Sequence, residues 1–226
     1  MATKPPSSGI HLPMPIWDLP VRLFHWALLA LLLVSWISVE NGYMRTHLVS
    51  GFSILALIIF RLAWGFVGSD TARFTQFVKS PLAALRHLRH FLRREPDTQV
   101  GHNEAGGLMV LGLLALLIAQ VVTGLCANDD VVTEGPLVKY IGKELSDRLT
   151  GFHKINFKLL VLAVIGHVAA VIGYAVFKGH DLVRPMVTGR KRLPAATPAP
   201  RMVNPILALG LFLVSAGIAV FVARVL

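Results

Sequence analysis

Residues 151–167 read GFHKINFKLLVLAVIGH, and this stretch decides the fold. It is apolar enough to be a membrane helix, yet it carries an imidazole at each end, His153 and His167. At 1.5 Å and 100° per residue, their 14-position separation puts them about 21 Å apart along the axis, within roughly 40° of one face. An imidazole in hydrocarbon is costly unless something binds it. One helix face presenting two imidazoles near opposite sides of a bilayer suggests two stacked haems.

The rest of the chain fits a membrane setting. It has 226 residues, of which 54% are hydrophobic and 15% charged, with a mean hydropathy of +0.64. A soluble domain carries about a quarter charged residues. The apolar residues come in five blocks, near 21–39, 47–67, 107–127, 153–177 and 205–223, each able to cross about 30 Å as a helix. No small-residue cleavage site follows the first block, so it does not read as a signal peptide.

The formal charge of +10 reports topology rather than nucleic-acid binding. Residues 1–22, 68–106 and 178–204 hold fourteen Lys and Arg, whereas the alternate loops 40–46 and 128–152 hold four. That bias puts the amino terminus inside and, with five spans, the carboxyl terminus outside.

Two further histidines lie at matching depths. His47 opens the second block on the same side as His153, and His25 lies about 21 Å before the end of the first, level with His167. The four form two levels, His47 with His153 outside and His25 with His167 inside, while the third block has none. Opposed imidazoles fill both axial positions of an iron and leave it suited to passing single electrons. The single cysteine, Cys126, reads as a small buried residue. With no Cys-x-x-Cys-His, any haem is held non-covalently, as haem b is.

Arg61 stands 14 positions beyond His47 and therefore faces the inner level, where it suits a haem propionate; the alternative is a cation snorkelling to headgroups. Lys158, with Lys154, could play the same part at the outer level or snorkel outward. His102, in a glycine-rich turn, could bind an inner propionate or a quinone carbonyl, or simply belong to a polar helix entry. Gly51 and Gly166 remove bulk where a porphyrin would approach. No Asp or Glu lies inside the blocks, which weakens a haem-free carrier using the same histidines.

By domain, residues 1–15 read as a disordered inner tail and 16–188 as a di-haem four-helix bundle. A basic amphipathic helix near 81–94 would lie on the inner leaflet or dock a partner, with His87 and His90 solvated. Residues 189–204 read as a Pro/Ala-rich linker. Residues 205–226 carry a fifth helix whose small residues suit packing against another helix, a partner's included, or a passive anchor. Trp17 and Arg22 read as interface anchors, and Pro20 and Asp18 as a helix start. The mildly acidic outer loop 128–152 suits a redox partner with a basic rim, or is an ordinary solvated loop.

Several strings resemble the prokaryotic cytochrome b561 family, which includes the b-type cytochrome subunit of nickel–iron hydrogenases. They are WDLPVRLFHW (17–26), RLAWGFVG (61–68) with Ala72-Arg73-Phe74, Gly101-His102-Asn103, and LVRPMVTG (182–189). The resemblance covers about residues 15–192. It implies a four-helix bundle with two b haems on His25, His47, His153 and His167. It also implies electron exchange between the quinone pool and a periplasmic c-type cytochrome or hydrogenase. One departure is Glu104, where relatives commonly have Pro; the fifth helix, of use to a homodimer or hetero-complex, is another. An activity the resemblance also allows is superoxide–quinone oxidoreduction, for which Lys154, Lys158 and Arg148 would draw in the anion.

Overall fold

The computed structural model describes residues 10–84 and 96–225. Among them five helices are long and apolar enough to cross a membrane. These are α1 (Leu19–Glu40), α2 (Met44–Val67), α3 (Glu104–Leu125), α4 (Lys143–Gly173) and α5 (Pro205–Val225). A π-helical turn, Tyr174–Lys178, extends α4.

Local chemistry sets the helix starts. Asp18 caps α1 through Oδ1, which accepts the Val21 N–H at 2.8 Å, and Pro20 sits in the first turn, where its missing N–H costs nothing. Asn103 caps α3 in the same way, accepting from the Gly106 N–H at 2.7 Å. The fourth helix begins ten residues before the expected 153, so part of the expected loop is helical. Its extra turns are polar but carry Lys143–Asp147 and Glu144–Arg148 pairs four residues apart, which support an exposed helix.

The helices form two close pairs, α1 with α2 and α3 with α4, joined mainly by α2 against α3. Across the wider gap between α1 and α4, side chains meet instead, Trp36 on Phe157 at 5.6 Å among them. The fifth helix packs on α2 within this chain. Ala208, Ser215 and Ala219 are buried there, and Phe212 meets Phe60 edge-on. Small residues permit that approach, because apolar lipid gives helices no hydrophobic reason to associate.

Two segments depart from the sequence reading. The end of the expected tail forms strand β1 (His11–Pro15), antiparallel to β2 (Arg190–Pro194) in the expected linker. Just beyond it, Ile16 and Trp17 both donate to the Gly189 carbonyl. The end of that linker is strapped down too. Asp70 Oδ2 accepts the Arg201 N–H, which holds its carboxyl below the usual range, and Ser69 Oγ accepts the Val203 N–H. Proline prevents neither contact, since an edge strand needs only alternate donors. Of the expected helix near 81–94, residues 81–84 are helical; the remainder, with His87 and His90, lies outside the described residues.

Trp17 and Arg22 are not simple interface anchors. Trp17 is buried, while Arg22 donates to the Val187 carbonyl and Trp26 to that of Met186. These bonds fasten α1 to the short helix Val183–Thr188 that follows α4. The polypeptide is thereby closed on itself at the amino-terminal end of the bundle.

Candidate histidine-lined redox centre

The four histidines meet in two pairs between the helix pairs. His25 of α1 and His167 of α4 have ring centroids 6.5 Å apart. His47 of α2 and His153 of α4 are 6.3 Å apart. One metal ion bound by two opposed imidazoles needs bonds of about 2.0 Å, with about 1.1 Å more from each nitrogen to its ring centre. The sum, about 6.2 Å, is close to both spacings. Each spacing leaves room for a shared metal ion, and both also lie within the about 4.5–7 Å of direct ring packing.

At the His47/His153 pair, both Nδ1 atoms are occupied by backbone. His47 Nδ1–H donates to the Ser35 carbonyl at 3.0 Å, and Ser35 Oγ lies at the same distance. His153 Nδ1–H donates to the Gln120 carbonyl at 2.9 Å. A carbonyl can only accept, so the proton sits on Nδ1 and Nε2 keeps its lone pair. Metal-binding histidines are oriented in this way. Gln120 Nε2 lies 3.1 Å from His153 Nε2, and Asn156 donates to Gln120 Oε1 at 2.7 Å. The Gln120 amide thus donates to the His153 Nε2 lone pair.

A cavity of about 640 Å³ adjoins this pair, lined by Trp36, Gly51, Lys154 and Lys158 among others. That volume lies within the range of about 300–1,000 Å³ typical of cofactor sites. A Cβ on Gly51 or Gly166 would meet nothing within 4 Å, so both glycines border open space. Lys154 and Lys158 are exposed. Asp129, also on the rim, accepts backbone N–H groups from Thr133, Val131 and Val132, which hold its carboxyl far below the usual range.

The His25/His167 pair is built differently. Among the described residues, His25 Nδ1 is buried with no hydrogen-bond partner, as are Arg61 Nη1 and His102 Nδ1. Arg61 is only 4% exposed and does not snorkel; its guanidinium lies over the Phe74 ring at 4.9 Å. Near it, Asp18 Oδ2 accepts from Trp64 Nε1 at 3.0 Å. His102 is wedged between Trp17 and Phe77, with centroids at 4.6 and 4.7 Å. Burial, then the nearby Arg61 guanidinium and His167, push its imidazole down to about 3. Buried donors and acceptors are rarely left unpaired, so these orphans mark where an anionic or polar group fits.

Spacing alone did not reveal Ser35, Gln120, Thr123, Gly124 and Asn156. The available signal was polarity: Gln120 stands in an otherwise apolar span, and Asn156 between two histidines. The histidine-free third helix proves to be the seat of His153.

A family model described as prokaryotic cytochrome b561 matches residues 16–189. A "Probable Ni/Fe-hydrogenase B-type cytochrome subunit" of Bradyrhizobium diazoefficiens is 23% identical over 215 residues, covering 78% of this chain and 85% of that protein. No solved structure gives a significant match.

Proposed function

The chain belongs to the prokaryotic cytochrome b561 family, and from that premise we propose that it is a di-haem membrane cytochrome exchanging electrons between the quinone pool and a periplasmic redox partner. The observation that carries this reading is the pair of opposed imidazole sets, at 6.3 and 6.5 Å, on two levels of one bundle. His47 with His153, and His25 with His167, would each hold one haem b through its iron. Such a haem supplies one-electron chemistry between ferric and ferrous states.

The protein's own part is to hold, orient and insulate. Ser35 and Gln120 fix two of the imidazoles by their Nδ1 protons, setting ring orientation and basicity. Two imidazoles per iron leave no open position, which favours outer-sphere electron transfer over substrate binding at the metal. Arg61 suits a propionate at one level, Lys158 at the other, and His102 a propionate or a quinone carbonyl.

The Lys/Arg bias orients the chain in a bacterial inner membrane with the amino terminus cytoplasmic, so the His47/His153 level lies on the periplasmic side. The named relative is a hydrogenase cytochrome subunit, which makes a hydrogenase a reasonable partner; a c-type cytochrome is the other. A reduced-minus-oxidised spectrum of the purified protein, with pyridine haemochrome quantitation, tests the reading. We expect two haems b per chain; a folded protein that binds none refutes it.

A further inference from the structure

We propose that residues 128–134 form a docking knob for a water-soluble electron carrier that presents a basic rim around an apolar centre, with Val131 and Val132 entering that centre. The nature of the partner rests on the electron-transfer reading above; the docking itself does not need it.

The knob carries apolar surface in an unusual place. Val131 is 84% exposed and Val132 87%, more than any other large apolar residue among the described ones. Other strongly exposed residues, such as Leu162 and Ile206, lie in the spans, where lipid covers them. The two valines stand in the connection between α3 and α4. Single exposed apolar residues are ordinary, but these are adjacent and are held outward. Asp129 Oδ1 accepts the N–H groups of Val131, Val132 and Thr133 at 3.0, 2.9 and 2.8 Å. Below them Asn128 pairs with Glu134 in an antiparallel bridge. Asn128 Nδ2 also donates to Ser146 Oγ and Asp147 Oδ1 at 2.7 and 2.8 Å, and Asp130 pairs with Lys143. These bonds fasten the knob to the first turns of α4.

What covers the valines follows from the charges around them. In a chain of net charge +10, the two connections at this end, residues 40–46 and 128–152, hold six Asp and Glu against four Lys and Arg. Asp130, Asp147 and Glu144 are paired with Lys143 and Arg148. Glu40 and Glu134 are exposed and enter no ion pair among the described residues. Glu40, Asp129 and Thr133 also line the cavity that adjoins His47 and His153, so the knob stands at its mouth. An apolar tip with acidic shoulders fits an apolar patch with a basic rim. Anionic lipid headgroups would be repelled by the same carboxylates. A second copy would set like charges against like, since its basic excess lies at the other end of the bundle.

The test uses the full chain in lipid nanodiscs, with a basic c-type cytochrome as probe and the same cytochrome succinylated to make it acidic. Binding to immobilised nanodiscs is read across salt concentrations, and visible spectra record haem content separately. The basic probe should bind, more weakly as salt rises, and the succinylated one should not. Equal binding of both, or binding of neither, overturns the proposal. Val131→Ser/Val132→Ser should weaken binding about tenfold or more at every salt concentration. Its melting curve should not change, because side chains this exposed hold nothing together; unchanged affinity refutes the knob. Glu40→Gln and Glu134→Gln should instead flatten the salt dependence, and an unaltered slope refutes the charge argument. In Val132→Cys, a water-soluble maleimide should label the residue as fast in nanodiscs as in detergent, and more slowly once the basic probe is bound. Slow labelling before the probe is added puts the tip in lipid and overturns the choice of partner. A wild type that holds no haem yet binds the probe in this pattern sinks the di-haem reading and leaves the docking surface standing.

Discussion

Gly124 offers a test that separates the redox centre from the fold. A Cβ there would lie 3.0 Å from His153 Cε1 and 3.3 Å from Nδ1, against the about 3.5–4.0 Å of comfortable contact. In Gly124→Ala the imidazole must therefore retreat by about 0.5 Å. It has little room, because Nδ1 is bonded to the Gln120 carbonyl at 2.9 Å and Thr123 Oγ1 stands 3.2 Å away. Stretching the first bond to about 3.4 Å forfeits most of a contact worth about 1 kcal/mol. Ala in place of Gly within a helix returns about the same amount. Thermal unfolding of the variant should thus match the wild type within a few degrees. Metal affinity should not, since disturbing a ligand's hydrogen-bond partner typically costs about 10–100-fold. Haem titration of the purified protein, read beside a melting curve, should show weakened binding of one haem and unchanged binding of the other. Two haems bound as tightly as in the wild type would mean that His153 is not held in the way described.

Other perturbations address the frame and its pH dependence. Ser146 is fully buried, donating to the Cys126 carbonyl and accepting from Asn128 Nδ2, each at 2.7 Å. Ser146→Ala should cost about 1–3 kcal/mol and open the segment between α3 and α4 to proteolysis before the rest of the chain. A Cβ on Gly65 would fall 2.0 Å from Phe74 Cε2, under the ring that carries the Arg61 guanidinium. Gly65→Ala should lower stability in chemical denaturation by about 1–3 kcal/mol through overpacking. His102, held neutral to about pH 3, binds fewer protons when folded than when unfolded below its ordinary value of 6.5. Stability should therefore fall as pH drops from 6.5 toward 3, and His102→Gln should flatten that slope in melting curves taken across the range.

Much of the architecture was legible because membrane helices advertise themselves. Continuous apolar blocks locate the five spans, and helix arithmetic alone groups the histidines by depth. What remained hidden shares a physical cause. Strand β1 is five residues with two prolines, and it exists only because Arg190–Pro194 lies alongside. Neither segment has a pattern that would announce it alone. The early start of α4 was missed for the opposite reason: residues 143–152 are polar, so a reading by apolarity stops at the bilayer edge while the helix does not. Residue type puts Trp17 at the interface, yet it is buried against His102, a contact across 85 positions that sequence spacing does not encode. The acceptors of the His47 and His153 Nδ1 protons are backbone carbonyls, which every residue has and no sequence distinguishes.

The division of labour among the helices follows from these contacts. The fourth helix carries one histidine of each pair, so the vertical separation of the two levels is fixed by a rigid rod, at 1.5 Å per residue. The first and second helices supply one histidine each and pack closely on each other. Small shifts of that pair change how tightly each level is clamped but hardly change the distance between levels. The third helix braces the rod, seating His153 through Gln120 and Gly124 and holding Asn156 against the Leu116 carbonyl at 2.9 Å. The fifth packs mainly on α2 and buries Ser215 and Ala219. Two helices thus set the spacing while two close the clamps. On the proposed di-haem reading, such an arrangement would let the potentials be adjusted through local contacts on α1 and α2 without altering the path between them.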